Sequence, residues 1–194
     1  ESLLHAAASS GNREVVEYIL EDGEVDINQK SLKNVTPLSS AILSKSKEIA
    51  LIFLEKNCSI DPPESYSNIF TFACEHGSCE ICEELLNRFN FDINAQETTG
   101  WISLNYALKG KNEDTCLMLI ERGSIIDNED MYMMTPLHWA AKFGLLSVVK
   151  KLVELGANMN AKNKKGYTPF FLAAGYGSVE TAKWLADKGA DIED

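Results

Sequence analysis

The chain has 194 residues, 45% of them hydrophobic and 24% charged, with a formal net charge of -11. That composition suits a globular protein with a substantial core, and its acidic balance works against whole-surface attraction to nucleic acid or anionic lipid. No uncharged apolar run approaches the roughly 20 residues that a membrane-spanning helix needs, and Glu1-Ser2-Leu3-Leu4-His5 lacks the basic start and apolar stretch of a signal peptide.

An internal period of roughly 33 residues organises the chain. It predicts approximate repeats at 1–30, 31–62, 63–96, 97–129, 130–162 and 163–194, together one domain spanning 1–194. Each repeat reads as two short helices with a turn between them, then an extended finger. Leu4-His5-Ala6-Ala7-Ala8 starts the first, and Ala41, Ala73 and Ala107 carry the register of Ala7 through the next three. Single-residue insertions fall between Glu21 and Asp26 and between Asn87 and Asp92. In the fifth repeat Thr135 is placed to cap a first helix, Pro136 suits its first position, and Gly144 breaks the chain before a second helix over 145–155. Val148, Val149, Leu152 and Val153 form an apolar stripe on that second helix. In the sixth, Thr168-Pro169 and Ala173-Ala174 repeat the spacing of Thr135-Pro136 and Ala140-Ala141. Neither helix of a pair can bury its apolar face alone, so the units are expected to stack.

Thr135-Pro136-Leu137-His138-Trp139-Ala140-Ala141, the Gly144 to Ala161 segment and Asn163-Lys164-Lys165-Gly166-Tyr167-Thr168-Pro169 closely resemble the ankyrin repeat. The resemblance covers all 194 residues; it is strong in the last two repeats and degraded in the second to fourth. It implies an all-α solenoid of stacked helix-turn-helix units with β-turn fingers. Ankyrin fingers usually place glycine two residues before the threonine. Gly100 and Gly166 comply and Asn34 is a good substitute, but Tyr66 and Met133 are bulky. Altered finger turns are therefore expected before the third and fifth repeats, with Pro62-Pro63 adding irregularity at the first of these. The third repeat also has Asn68-Ile69-Phe70 where Thr-Pro-Leu would stand. Trp184, Leu185 and Ala186 would leave an apolar outer face on the sixth repeat. With the missing initial methionine, that reads as a piece of a longer chain.

Chemistry finds little support. The resemblance implies that His5 and His138 hydrogen-bond between adjacent fingers, while His76, at the exposed end of a first helix, reads as a binding-surface residue. Cys74, His76, Cys79 and Cys82 have zinc-like spacing. The repeat register instead puts Cys74 at an alanine position and Cys79 and Cys82 at apolar core positions. Asn34-Val35-Thr36 is read as a chance match to a glycosylation acceptor. No phosphate loop or hydrolase motif appears. The expectation is a non-enzymatic chain with no catalytic residues, metal or cofactor. The five cysteines, an odd number, suggest reduced thiols and a cytoplasmic location, with the nucleus as the alternative.

In ankyrin arrays, partners are most often gripped by the fingers and by residues after the Ala-Ala pair. Carried onto this sequence, that selects Trp101, Met131, Tyr132, Met134, Lys142, Phe143, Lys164, Lys165, Tyr167, Tyr176 and His76. The set is rich in aromatics and methionines, which suit interfaces, and its lysines contrast with the acidic whole. Trp101, Met134 and Tyr167 could instead pack against the next finger, and Trp139 is assigned to structure. The expected function is a protein interaction scaffold or adaptor, binding a protein or peptide segment with apolar anchors and some acidic character. No nucleic acid or membrane insertion is expected. The rival readings are a targeting or autoinhibitory module of a larger enzyme, channel or pathogen effector, and self-association through the apolar face.

Overall fold

The computed structural model describes residues 2–21 and 23–192. Among these residues twelve helices run in order: α1 (Leu3–Ser10), α2 (Arg13–Glu21), α3 (Pro37–Leu43), α4 (Lys47–Glu55), α5 (Ile69–His76), α6 (Cys79–Arg88), α7 (Ser103–Lys109), α8 (Glu113–Glu121), α9 (Pro136–Phe143), α10 (Leu146–Glu154), α11 (Pro169–Gly175) and α12 (Val179–Asp187). Among the described residues there is no strand. The helices form six consecutive pairs and fall into two compact units, Glu1–Phe91 and Asp92–Asp194.

The first helices begin where the side chains allow. The Thr36, Thr135 and Thr168 hydroxyls accept from the backbone N–H of Ser39, His138 and Phe171, and a proline opens the helix immediately after each. Where that signal is missing, asparagine substitutes. Asn68 Oδ1 accepts from Thr71 N at 2.9 Å at the start of α5, and Asn105 Oδ1 accepts from Ile102 N at 3.0 Å at the start of α7. Both supply an acceptor to an amide that the helix itself leaves unpaired.

Small residues then set the packing. Ala7, Ala41, Ala73, Ala107, Ala140 and Ala173 are all buried, so α1, α3 and α5 pack side by side in the first unit and α7, α9 and α11 in the second. The second helices cover them with Val148, Val149 and Leu152 and their counterparts Ile49, Phe53, Ile81 and Leu85. Each fully buried side chain of this size contributes about 1.5–3 kcal/mol. Val153, expected in the same stripe, is half-buried.

The fingers are bound to one another by hydrogen bonds roughly one repeat apart in sequence. In the first unit the Asn28 side-chain oxygen accepts from Ser59 N at 2.6 Å. In the second, Asn94 accepts from Ile125 N and Asn160 from Asp191 N, each at 2.9 Å. The histidines act in the same way. His5 Nε2 donates to the Val35 carbonyl at 2.8 Å and His138 Nε2 to the Tyr167 carbonyl at 3.0 Å. Because a carbonyl only accepts, Nε2 carries the proton, leaving His138 Nδ1 to accept from Thr135 N and Oγ1 at 3.1 and 2.8 Å.

The two bulky finger positions behave differently. Met133 does not alter its turn: it takes φ +56°, as Asn34 takes +57° and Gly100 +80°. The turn is held by the Asp130 carboxylate, whose Oδ1 accepts from the amides of Tyr132 and Met134 at 2.8 and 3.0 Å. Tyr66 stays out of the positive-φ region. There the register puts Pro63 where Ser31, Glu97, Asp130 and Asn163 each donate an N–H to close their fingers. Proline has no N–H, so the third finger cannot close in that way. At Gly100 the turn favours glycine, because φ is +80° and a Cβ would lie 3.0 Å from the Glu129 carbonyl oxygen.

The Met133 turn and the His138 bridge each carry a consequence for stability. A left-handed conformation costs a residue with a Cβ roughly 1–2 kcal/mol, part of which glycine's greater unfolded-state entropy offsets. Met133→Gly should therefore stabilise the protein by about 0.5–1 kcal/mol, read as a higher urea midpoint at unchanged slope. Burial holds the His138 pKa below its ordinary value, against the opposing effect of its bond to Tyr167. Its contribution to stability is therefore complete above the roughly 6.5 of an unfolded histidine and declines as pH falls below it. The urea midpoint advantage of the native chain over His138→Gln should shrink between about pH 7.5 and 5.5; a constant advantage contradicts this.

Candidate partner-binding site

The second unit carries most of the residues singled out in the sequence, and Asp130 organises them. This aspartate is 5% exposed. While Oδ1 holds the finger turn, Oδ2 accepts from the indole N–H of Trp139 at 3.1 Å and of Trp101 at 3.3 Å. One carboxylate thus takes four N–H donors, fixing both indoles against the finger before α9. Charge-assisted bonds of this kind are individually stronger than neutral ones.

From these indoles an aromatic series extends. Trp101 meets Tyr106 and Trp139 edge-on, with centroids 5.2 and 5.5 Å apart. Trp139 stacks near Phe143 at 5.7 Å. Lys142, in the last turn of α9, brings its ammonium to 4.6 Å from the Trp139 ring centre, 4.8 Å from Tyr176 and 5.6 Å from Phe143. Lys111 lies 5.7 Å from the Phe143 ring. These are cation–π distances. Tyr167 and Phe171 stack at 4.2 Å.

Between the fingers at 130–134 and 163–167 and the helices α9 and α11 lies an open groove of about 650 Å³. Tyr132, Lys142, Lys164, Lys165, Tyr167 and Tyr176 line it, joined by Met134, Trp139, Asn163, Phe171, Leu172 and Gly175. Tyr132 is 60% and Tyr176 63% exposed. Among the described residues no acidic side chain lines it, although the chain as a whole carries a net charge of -11.

Several expected site residues are placed otherwise. Met134 is only 6% exposed, forming part of the groove floor with its sulfur 3.1 Å from Asn163 Nδ2. The left-handed turn at Met133 separates the two, leaving Met134 buried and Tyr132 exposed. Trp101 is half-buried and committed to Asp130, Met131 is exposed but outside the groove lining, and Phe143 borders Lys142 without lining it. His76 belongs to the first unit. It is half-buried rather than freely presented, with Nε2 2.6 Å from the Tyr66 hydroxyl, which itself donates to Glu75 at 3.0 Å. Burial and the Glu75 charge push the Tyr66 phenol well above its ordinary range.

Trp139, a structural residue by its register, also has one side that the groove reaches. Phe171 does not stand out in the sequence at all. It occupies in the sixth repeat the position His138 holds in the fifth, and an aromatic ring at a bracing position is the signal that could have found it. Cys74 and Cys82 are buried and Cys79 half-buried. Among the described residues no group of three or more His, Cys, Asp or Glu side chains is arranged to hold a metal. Burial pushes the Cys58 thiol up to about 11, which suppresses thiolate chemistry there.

A family model for ankyrin repeats (3 copies) matches residues 1–64, 70–163 and 128–194. The chain belongs to the ankyrin-repeat family. It is 29% identical over 153 residues to Ankyrin repeat protein nuc-2 of Neurospora crassa, an alignment covering 78% of this chain and 14% of that protein. It is also 29% identical over 154 residues to the probable 26S proteasome regulatory subunit p28 of Saccharomyces cerevisiae, covering 77% of this chain and 68% of the yeast protein. Its fold matches the crystal structure of the human ASB11 ankyrin repeat domain with a TM-score of 0.80 at 26% identity, over 100% of this chain and 86% of that one. This chain therefore spans a small part of some relatives and most of others. Ankyrin repeats are in general protein interaction modules on a non-catalytic fold. Among the described residues no helix is long and apolar enough to cross a membrane.

The Asp130 arrangement is testable. In Asp130→Asn the amide has one accepting oxygen for the donors that two carboxylate oxygens now serve. Loss of charge-assisted bonds should cost about 2 kcal/mol or more and shift the tryptophan fluorescence of the folded protein. Unchanged stability and emission would contradict the assigned role.

Proposed function

We propose that this ankyrin-repeat chain is a non-catalytic adaptor whose second unit grips a segment of a partner protein in the groove over α9 and α11. The observation that carries the reading is chemical: a concave, aromatic-walled groove with three lysines and, among the described residues, no acid, on a chain of net charge -11. Exposed large apolar side chains gathered in one place exceed what scattered surface residues require. Aromatics and methionine supply contact area that stays adaptable. The partner segment is apolar with some acidic character. Five cysteines, an odd number, fit a reducing compartment such as the cytoplasm.

The test substitutes Tyr132, Phe143 and Tyr176 together by alanine. Peptides selected on the native chain from a random display library should bind the triple variant at least about tenfold more weakly, roughly 1.4 kcal/mol, with helical content and melting retained. Unchanged affinity would remove the groove from consideration. Light scattering across concentrations reads the rival, since a dimer lost in the triple variant would assign the same surface to self-association.

A further inference from the structure

Building on the groove reading, we infer that the occupant is a peptide segment whose bulky aromatic or aliphatic side chain is flanked by carboxylates, and that Lys142 determines this preference. The side chain enters between Tyr132, Tyr167 and Tyr176, while the carboxylates meet Lys142 and the finger lysines Lys164 and Lys165.

The state of Lys142 comes first. Its ammonium lies within 5.6 Å of three ring centres. Aromatic faces orient a cation and leave its net charge uncompensated. A long lysine side chain ordinarily loses rotamer freedom when it engages a partner; here the rings already restrict it. Among the described residues, none of the ion pairs involves Lys142, Lys164 or Lys165. The groove thus holds an ordered cation and two exposed ones, all open to a carboxylate.

Charge then selects the occupant. Asp130 is a buried acid joined to the groove wall through Trp139, and both its oxygens are already engaged by N–H donors. Its single charge offsets no more than one of the three lysines. A basic segment would face like charge at close range, and a neutral one would leave the lysines unmatched. Polynucleotide offers anions and stackable bases, but its backbone would run on from the groove across a chain with 29 acidic and 18 basic residues. A peptide can confine its charge to the residues beside the anchor. The volume of about 650 Å³ falls in the roughly 300–1,000 Å³ range of sites that enclose a ligand, which suits an anchor side chain with its neighbours.

The experiment uses the full chain and a random 12-residue display library, selected in parallel on the native protein, Lys142→Met and the triple alanine variant. Methionine keeps an unbranched apolar side chain against the rings and removes only the charge. Native selection should enrich an aromatic, leucine or isoleucine residue flanked by aspartate or glutamate. Synthetic peptides of that pattern should bind Lys142→Met at least about tenfold more weakly, and their affinity for the native chain should fall several-fold as salt rises from about 50 to 300 mM. Replacing the acids of the peptide by amides should reproduce the loss on the native chain and have little further effect on the variant.

Groove-dependent peptides that are neutral or basic, or that bind Lys142→Met as well as the native chain, overturn this inference and leave the groove reading intact. No peptide sensitive to the triple variant overturns the groove reading itself and this inference with it. Equal or tighter groove-dependent binding of a 12-nucleotide single strand overturns the commitment to a peptide. Melting curves matching the native chain assign the affinity losses to the substituted side chains.

Discussion

A helix of seven to ten residues does not hold itself together in water, because nucleation is costly and few bonds follow it. Every helix here is of that length, so each depends on a neighbour roughly one repeat away. The chain meets this constraint in two layers. Buried alanines let the first helices approach and the second helices cover them; asparagine and histidine side chains bind successive fingers through their backbone. Neither layer needs a particular residue on the exposed side of the finger or at the end of the first helix. Those positions are consequently available for binding.

In the second unit one group connects the two layers to the groove. Asp130 closes its finger, supports the positive φ of Met133 and anchors the indoles of Trp101 and Trp139. Trp139 in turn offers a face to Lys142. A buried carboxylate thus positions a half-buried cation through an aromatic ring, without touching it. Loss of the carboxylate would disturb the finger and the groove wall together. The arrangement also reconciles an acidic chain with a groove that carries positive charge: the acid is buried and hydrogen-bonded, and the lysines line the groove.

The repeat and the helix pairs were legible because they rest on local signals recurring in register: Thr-Pro starts, alanine pairs and glycine stops; the histidine bridges were legible only through the resemblance to the ankyrin repeat. The irregular third finger was legible in outcome but not in full cause. Tyr66 drew most attention and Pro62-Pro63 was read only as adding irregularity, whereas Pro63 is the residue that lacks the amide the other fingers use. Met133 misled for the opposite reason. Its bulk disfavours a left-handed turn, but Asp130, three residues earlier, supplies bonds that outweigh the strain. Spacing along a finger could not reveal that competition.

The same distinction applies to the groove. Repeat positions, read with the partner-gripping positions that the ankyrin resemblance implies, nominated Tyr132, Lys142, Lys164, Lys165, Tyr167 and Tyr176, because register assigns a residue to a finger or a helix end. Whether a nominated side chain faces outward depends on neighbours from other repeats. Met134 turns into the floor against Asn163 and Trp101 is drawn to Asp130, whereas Phe171 joins the wall by stacking on Tyr167 of its own repeat. Periodicity specifies which surfaces come together, since it encodes burial at regular intervals. Three-dimensional packing alone decides which way each large side chain turns, because that choice is made by hydrogen bonds and ring contacts between residues about thirty positions apart.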